Sequence, residues 1–127
     1  MPISVKAAKA KGRRLQQDVR DKIQLLLKPY GVVEDDVKST TMGEGGEDVQ
    51  LSPLARRLLP ISVECKSRKA FAVYKDYEQS DKASGTNEPV LIIRGDRKPA
   101  LALVDLDYYF MLEACRIRIE QGTKEWS

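Results

Sequence analysis

Ile61-Ser62-Val63-Glu64-Cys65-Lys66-Ser67-Arg68 alternates apolar and polar residues almost without a break. A β-strand sends successive side chains to opposite faces, so Ile61, Val63 and Cys65 share one face and Ser62, Glu64, Lys66 and Arg68 the other. The first face suits a core and the second carries charge. Just upstream, Gly46-Glu47-Asp48-Val49-Gln50-Leu51-Ser52 reads as another short strand with an acid at Asp48. An acid and a lysine two residues apart ordinarily sit in water as a mutually supporting ion pair. Asp48 tips the reading toward a site, because it can converge with Glu64 on a divalent cation.

The stretch joining these strands, Pro53 to Pro60, is bracketed by prolines and predicts a short helical turn or loop carrying Arg56 and Arg57. Further upstream, Gly31 to Thr41 suggests a first strand, with Glu34, Asp35 and Asp36 in a turn or on its solvent side. Met42 to Glu47 holds three glycines and predicts a flexible loop at the edge of the site. Leu15, Val19, Ile23 and Leu26 recur at helical spacing, which gives an amphipathic helix from about Arg13 to Lys28 that Pro29 and Gly31 end. Gln16 falls on the inward edge of that stripe, where a polar side chain needs a partner.

Downstream, Ala70 to Ala83 reads as a helix covering the sheet with Phe71, Tyr74, Tyr77 and Glu78 on one side. Val90-Leu91-Ile92-Ile93 predicts a buried strand, Gly95-Asp96-Arg97-Lys98 a turn, and Ala100 to Val104 the returning partner. Leu106 to Gln121 forms a last helix capped by Asp105 or Asp107, with Tyr108, Met111, Leu112, Cys115 and Ile119 on one face. This order gives an α/β fold, an α/β/α sandwich with a mixed central sheet flanked by helices.

A chain of 127 residues suits one domain, here 13–121, between a basic arm at 1–12 containing Lys6, Lys9 and Lys11 and a tail at 122–127. No apolar run approaches the roughly 20 residues that span a bilayer, and the N-terminus lacks a signal-peptide apolar region, so no membrane partner and a cytoplasmic location are expected. Cys65 and Cys115 lie far apart on apolar patterns and read as buried free thiols. The chain has no histidine, which removes Ser-His-Asp and Cys-His hydrolases, His-metal nucleases and most zinc enzymes. Any catalysis must use carboxylates, lysine and a borrowed metal. Net charge is only +3, so a case for nucleic acid rests on where the charge lies.

Asp48 followed by Glu64-Cys65-Lys66 resembles the motif of the PD-(D/E)XK nuclease superfamily, and within it the small Holliday-junction-resolvase-like proteins of archaea and phages. The surroundings run in the same order: a helix opening at Lys11-Gly12, two strands, a helix ending in Glu78-Gln79, then a hairpin with Arg94-Gly95-Asp96, so the likeness spans roughly Lys11 to Leu112. The resemblance implies a restriction-endonuclease-like fold and a metal-dependent DNA endonuclease selective for branched structures, working as a homodimer. Its location would be the host cytoplasm if phage-encoded. It implies Mg²⁺, with Mn²⁺ able to substitute, held by Asp48, Glu64 and the carbonyl of Cys65, and Lys66 orienting or deprotonating the attacking water. Where the family has a glutamate four residues after the helix-opening glycine, this chain has Gln16, which could hydrogen-bond a water on the metal or a phosphate, or satisfy a buried backbone group. Gln79 is similar to the family's helix glutamine and either contacts the site or packs. Lys9, Lys11, Arg13, Arg14, Arg56, Arg57, Arg68 and Lys69 are the candidates for contacts to DNA phosphates. Two other classes stay open: a DNA-binding module without catalysis, and another metal-dependent enzyme, whether a restriction, homing or repair nuclease or a nucleotide hydrolase.

Overall fold

The computed structural model describes residues 4–40 and 47–122. The glycine loop expected at Met42 to Glu47 lies outside them except for Glu47, as do the first three residues and the end of the tail.

Helix α1 (Val5–Leu27) opens at Ser4, whose Oγ accepts the Ala7 N–H at 3.1 Å. It therefore begins eight residues before the expected Arg13, and residues 5–12 are helix instead of a basic arm. The apolar stripe starts only at Leu15, but alanine and lysine are strong helix formers and extend a capped helix without a buried face. Beyond Leu27 the chain passes through a 3₁₀ turn (Lys28–Tyr30) to Gly31, which takes φ 84°. That left-handed position favours glycine.

The expected first strand is shorter than its valines suggest. Glu34–Asp36 forms a second 3₁₀ turn, with the Val33 N–H donating to Asp36 Oδ2 at 2.8 Å, and only Val37–Ser39 (β1) is strand. Strand β2 (Val49–Leu51) leads through α2 (Pro53–Leu58), capped by Ser52, into β3 (Ile61–Ser67). Helix α3 (Val73–Ala83), β4 (Glu88–Arg94), β5 (Leu101–Leu103) and α4 (Leu106–Glu120) complete the order. The strands lie side by side as β1-β2-β3-β4-β5. Only β3 and β4 run parallel, in register from Ile61↔Glu88 to Ser67↔Arg94, and the other pairs are antiparallel. A parallel pair requires a crossover, which α3 supplies. The result is the α/β fold expected: a mixed five-stranded sheet flanked by helices.

Val49, Val63 and Val90 line the sheet face that meets Leu15, Val19 and Ile23 of α1. Leu15 is completely buried, and burial of such a side chain is worth about 1.5–3 kcal/mol. By strand alternation Ser62 and Leu91, both buried, point to the other face, where α3 packs against β3 and β4.

Helix α3 departs from expectation. Its buried residues are Asp76 and Ser80, while Tyr74 is 83% exposed and Glu78 faces solvent. Asp76 is drawn inward by Arg68, whose guanidinium donates to both carboxylate oxygens at 3.1 and 3.3 Å. A paired acid has displaced the aromatic face. At α4 the cap is Asp105, which accepts the Tyr108 N–H at 3.1 Å. No residue of this helix is buried, however, and Cys115 is an exposed thiol instead of a buried one. Apolar residues surround the helix instead of forming one stripe, and of its residues only Tyr108 packs against the core. Among the described residues no helix is long and apolar enough to cross a membrane.

Candidate active site

Strands β2 and β3 are paired at Val49↔Val63, and Asp48 stands at the entry to β2 next to that pair. There the Asp48 N–H donates to the Val63 carbonyl at 3.0 Å, while Asp48 Oδ2 accepts the Cys65 N–H at 2.6 Å. These two bonds straddle Glu64. The Asp48 carboxylate thus takes a place in the β3 ladder and is fixed beside the Glu64 side chain.

Glu64 is partly buried, and its carboxyl is pushed up to about 7. Burial is the largest cause, followed by the charge of Asp48 and a hydrogen bond with it; Lys66 pulls the other way and Glu47 adds a little upward push. Each of these favours or disfavours the charged form in the usual sense. The Cys65 thiol is pushed far up by its burial and by the same two acids, so it is no nucleophile at neutral pH. Its backbone N–H is the part that organises the site.

Arg56 braces the arrangement from α2. One guanidinium nitrogen donates to the Ile61 carbonyl at 2.9 Å and another to Glu47 Oε2 at 2.6 Å. The connector is thereby tied to both site strands, and Glu47 is neutralised beside Asp48. Thr40 Oγ1 donates to the Glu47 carbonyl, holding β1 against the same corner.

Asp48, at the entry to β2, is thus gathered with Glu64 and Lys66 of β3, but two expected members stand apart. Gln16 is buried on α1, and its Oε1 accepts the Ser39 Oγ–H at 3.2 Å. Gln79 is exposed on α3. Among the described residues neither forms a hydrogen bond to Asp48 or Glu64.

The expected phosphate-contacting residues divide in the same way. Arg56 is committed to Glu47 and Arg68 to Asp76, while Lys9, Arg13 and Arg57 are exposed and scattered. Lys11 and Arg14 line a cleft of about 540 Å³ together with Arg94, Asp96, Arg97 and Lys98, and Lys69 lies close enough to Asp96 to influence it. Arg94, Arg97 and Lys98 did not enter the set read from sequence. The signal lay in the charged run from Arg94 to Lys98, which passes for an ordinary turn when its neighbours on α1 are out of sight.

Among the described residues no group of three or more His, Cys, Asp or Glu side chains could hold a metal. The Asp48–Glu64 pair nevertheless fits Mg²⁺, which binds through one or two carboxylates and keeps several waters. Asp48 retains one oxygen not taken by Cys65, and the repulsion that raises the Glu64 pKa is what a cation would relieve. No protein family, no curated protein and no solved structure matches the chain.

Proposed function

We propose that this protein is a metal-dependent endodeoxyribonuclease, using Mg²⁺ or Mn²⁺ and selective for branched DNA of the Holliday-junction type. The observation that carries the reading is the Asp48–Glu64 carboxylate pair, held by the Cys65 N–H, with Lys66 two residues further along the same strand face. Two strand residues span about 6–7 Å, so the Lys66 ammonium reaches a phosphate lying over the two acids. Asp48 holds its position through the backbone. Glu64, whose carboxyl is pushed up by burial and by Asp48, is the group that a bound cation would favour in its charged form. Lys66 offsets charge that develops on the phosphorane. Mg²⁺ would be held by Asp48, Glu64 and the Cys65 carbonyl and would supply Lewis-acid polarisation of the phosphoryl oxygen.

The test is cleavage of a synthetic four-way junction and of supercoiled plasmid, with Mg²⁺ and with EDTA. Asp48→Ala, Glu64→Ala and Lys66→Ala should each lower cleavage by about a hundredfold or more while DNA affinity stays close to wild type. Wild-type cutting by any one of them removes it from the site. A second reading, a DNA-binding module without catalysis, is favoured by Gln16, which stands where the resembled family has an acid and is hydrogen-bonded to Ser39. Metal-independent binding with no cutting of either substrate would select it.

The same reading includes a homodimer, since one small domain offers one site and a junction presents two symmetric strands. Helix α4 is the face for the second copy. Phe110, Met111, Leu112, Ile117 and Ile119 are all exposed on it, and the adjacent edge strand β5 exposes Leu101. Exposed apolar surface on this scale marks an interaction site. Its few charges are of mixed sign, with Arg116 paired to Glu113 and Glu120, which suits another copy better than a polyanion. Sedimentation should show a dimer that Phe110→Glu dissociates; a strict monomer at high concentration and with junction DNA present would sink this assembly.

A further inference from the structure

We infer that the basic cleft at the C-terminal ends of β3 and β4 binds the phosphodiester backbone of DNA, and that Arg97 is held in a costly backbone conformation for this contact. The inference takes its ligand from the nuclease reading above.

The cleft is built from three places in the chain. Helix α1 gives Lys11 and Arg14, the ends of the parallel strands give Ser67 and Arg94, and the following turn gives Asp96, Arg97 and Lys98. Five cations surround one carboxylate. Lys11 donates to Asp96 at 2.7 Å and Arg94 to Asp18 at 2.9 Å, and these two ion pairs fix the cleft walls by joining α1 to β4 and its turn. The side chains of Arg14, Arg97 and Lys98 make no ion pair or hydrogen bond among the described residues. Like charges concentrated in a concavity, with three of them outside any ion pair among the described residues, attract an anion.

The position is as informative as the charge. Open α/β sheets bind ligands at the carboxyl ends of their parallel strands, and β3/β4 is the only parallel pair here among the described strands. By alternation Ser67 shares the α1 side of the sheet with Val63 and Cys65, whereas Glu64 and Lys66 face the other side, so the cleft opens at the strand ends on the α1 face and not over the two acids.

Arg97 supplies a separate observation. Its φ is 58°, and among the described residues it is the only non-glycine at positive φ. The Lys98 N–H donates to the Gly95 carbonyl at 3.2 Å and closes the turn. Glycine or asparagine would occupy the left-handed position at lower cost. An arginine kept there, with its side chain in a cation-lined cleft, points to a use for the guanidinium, since strained residues concentrate at ligand sites.

The test measures binding of a fluorescein-labelled DNA duplex of about 20 base pairs by the full-length protein in EDTA, over about 50–200 mM NaCl. Arg97→Gly should weaken binding about threefold. The Arg14→Ala/Lys98→Ala double variant should weaken it further, and the slope of log affinity against log salt should become shallower by about 0.9 per lost phosphate contact. Arg97→Gly should also keep or raise the melting temperature, a combination that a purely structural turn residue would not give. Lys28→Ala/Lys82→Ala, on exposed positions elsewhere, should bind as wild type. Wild-type affinity and slope in the cleft variants would overturn the inference while leaving the nuclease reading to the Asp48→Ala cleavage test. Inorganic phosphate that stabilises wild type but not Arg97→Gly, with no duplex binding, would also overturn it and assign the cleft to a small anion.

Discussion

Replacing Glu64 by glutamine removes a proton-binding group that folding holds at about pH 7, against an ordinary value of 4.5. A carboxyl raised by folding binds its proton more tightly in the native state. Its contribution to stability is therefore complete below about pH 4.5 and is lost as pH rises through about 7. The full displacement corresponds to about 3.4 kcal/mol at ~1.36 kcal/mol per pH unit, and solvent screening of this partly exposed side chain reduces it to about 1–2 kcal/mol. With about 2.1 cal/mol/K of unfolding entropy per residue, a chain of 127 residues converts that into roughly 4–7 °C. The assay is thermal unfolding by circular dichroism in EDTA, comparing wild type with Glu64→Gln near pH 5 and near pH 8.5. Taking the difference between the two proteins at each pH cancels other titrating groups, including Glu88, whose carboxyl is also raised by burial. Near pH 5 glutamine should stand in for the neutral acid with little change. Near pH 8.5 the variant should melt about 4–7 °C higher. A variant no more stable than wild type at high pH, or one with the same margin at both, would refute the picture of Glu64 confined beside Asp48.

Leu15→Ala should cost about 3–5 kcal/mol in urea unfolding, because Leu15 is completely enclosed between α1 and the sheet. Arg68→Ala should cost about 2–3 kcal/mol by leaving the buried Asp76 carboxylate unpaired, and Arg57→Ala, on an exposed arginine, should change stability little. Deleting residues 1–10 removes the first turns of α1 with Lys6 and Lys9, and gel shifts should then show binding weakened alike for all DNA sequences with a flatter salt dependence. In competition gel shifts with the intact protein, unlabelled junction should displace labelled junction better than linear duplex does; equal displacement would remove the branched-DNA preference.

The part of the site lying on β3 was legible because alternation is a property of consecutive residues. Once Val63 faces the core, Glu64 and Lys66 must face away from it and Cys65 presents its backbone to the next strand. Asp48 could be added because it directly precedes the adjacent strand. The Asp105 cap was readable for a similar reason, since its partner Tyr108 is three residues away. The face of α3 was not, because the Asp76–Arg68 pair that turns it joins two elements and outweighs the aromatic pattern. The start of α1 was missed because alanine and lysine signal helix by propensity, which an apolar stripe does not register. The basic cleft was least visible of all. Lys11 and Asp96 are 85 positions apart, and their contact exists only after α1 has been laid across the sheet.

The two cysteines differ in a way that gives the unmodified protein a built-in reporter. Burial and two neighbouring acids keep the Cys65 thiol protonated, whereas the Cys115 thiol is exposed on α4. Thiolate is the reacting species, so a maleimide dye or nitroxide should attach at one position without any cysteine having to be removed. That position lies on the apolar helix proposed to meet a second copy, where a spin label would report the distance to its twin directly.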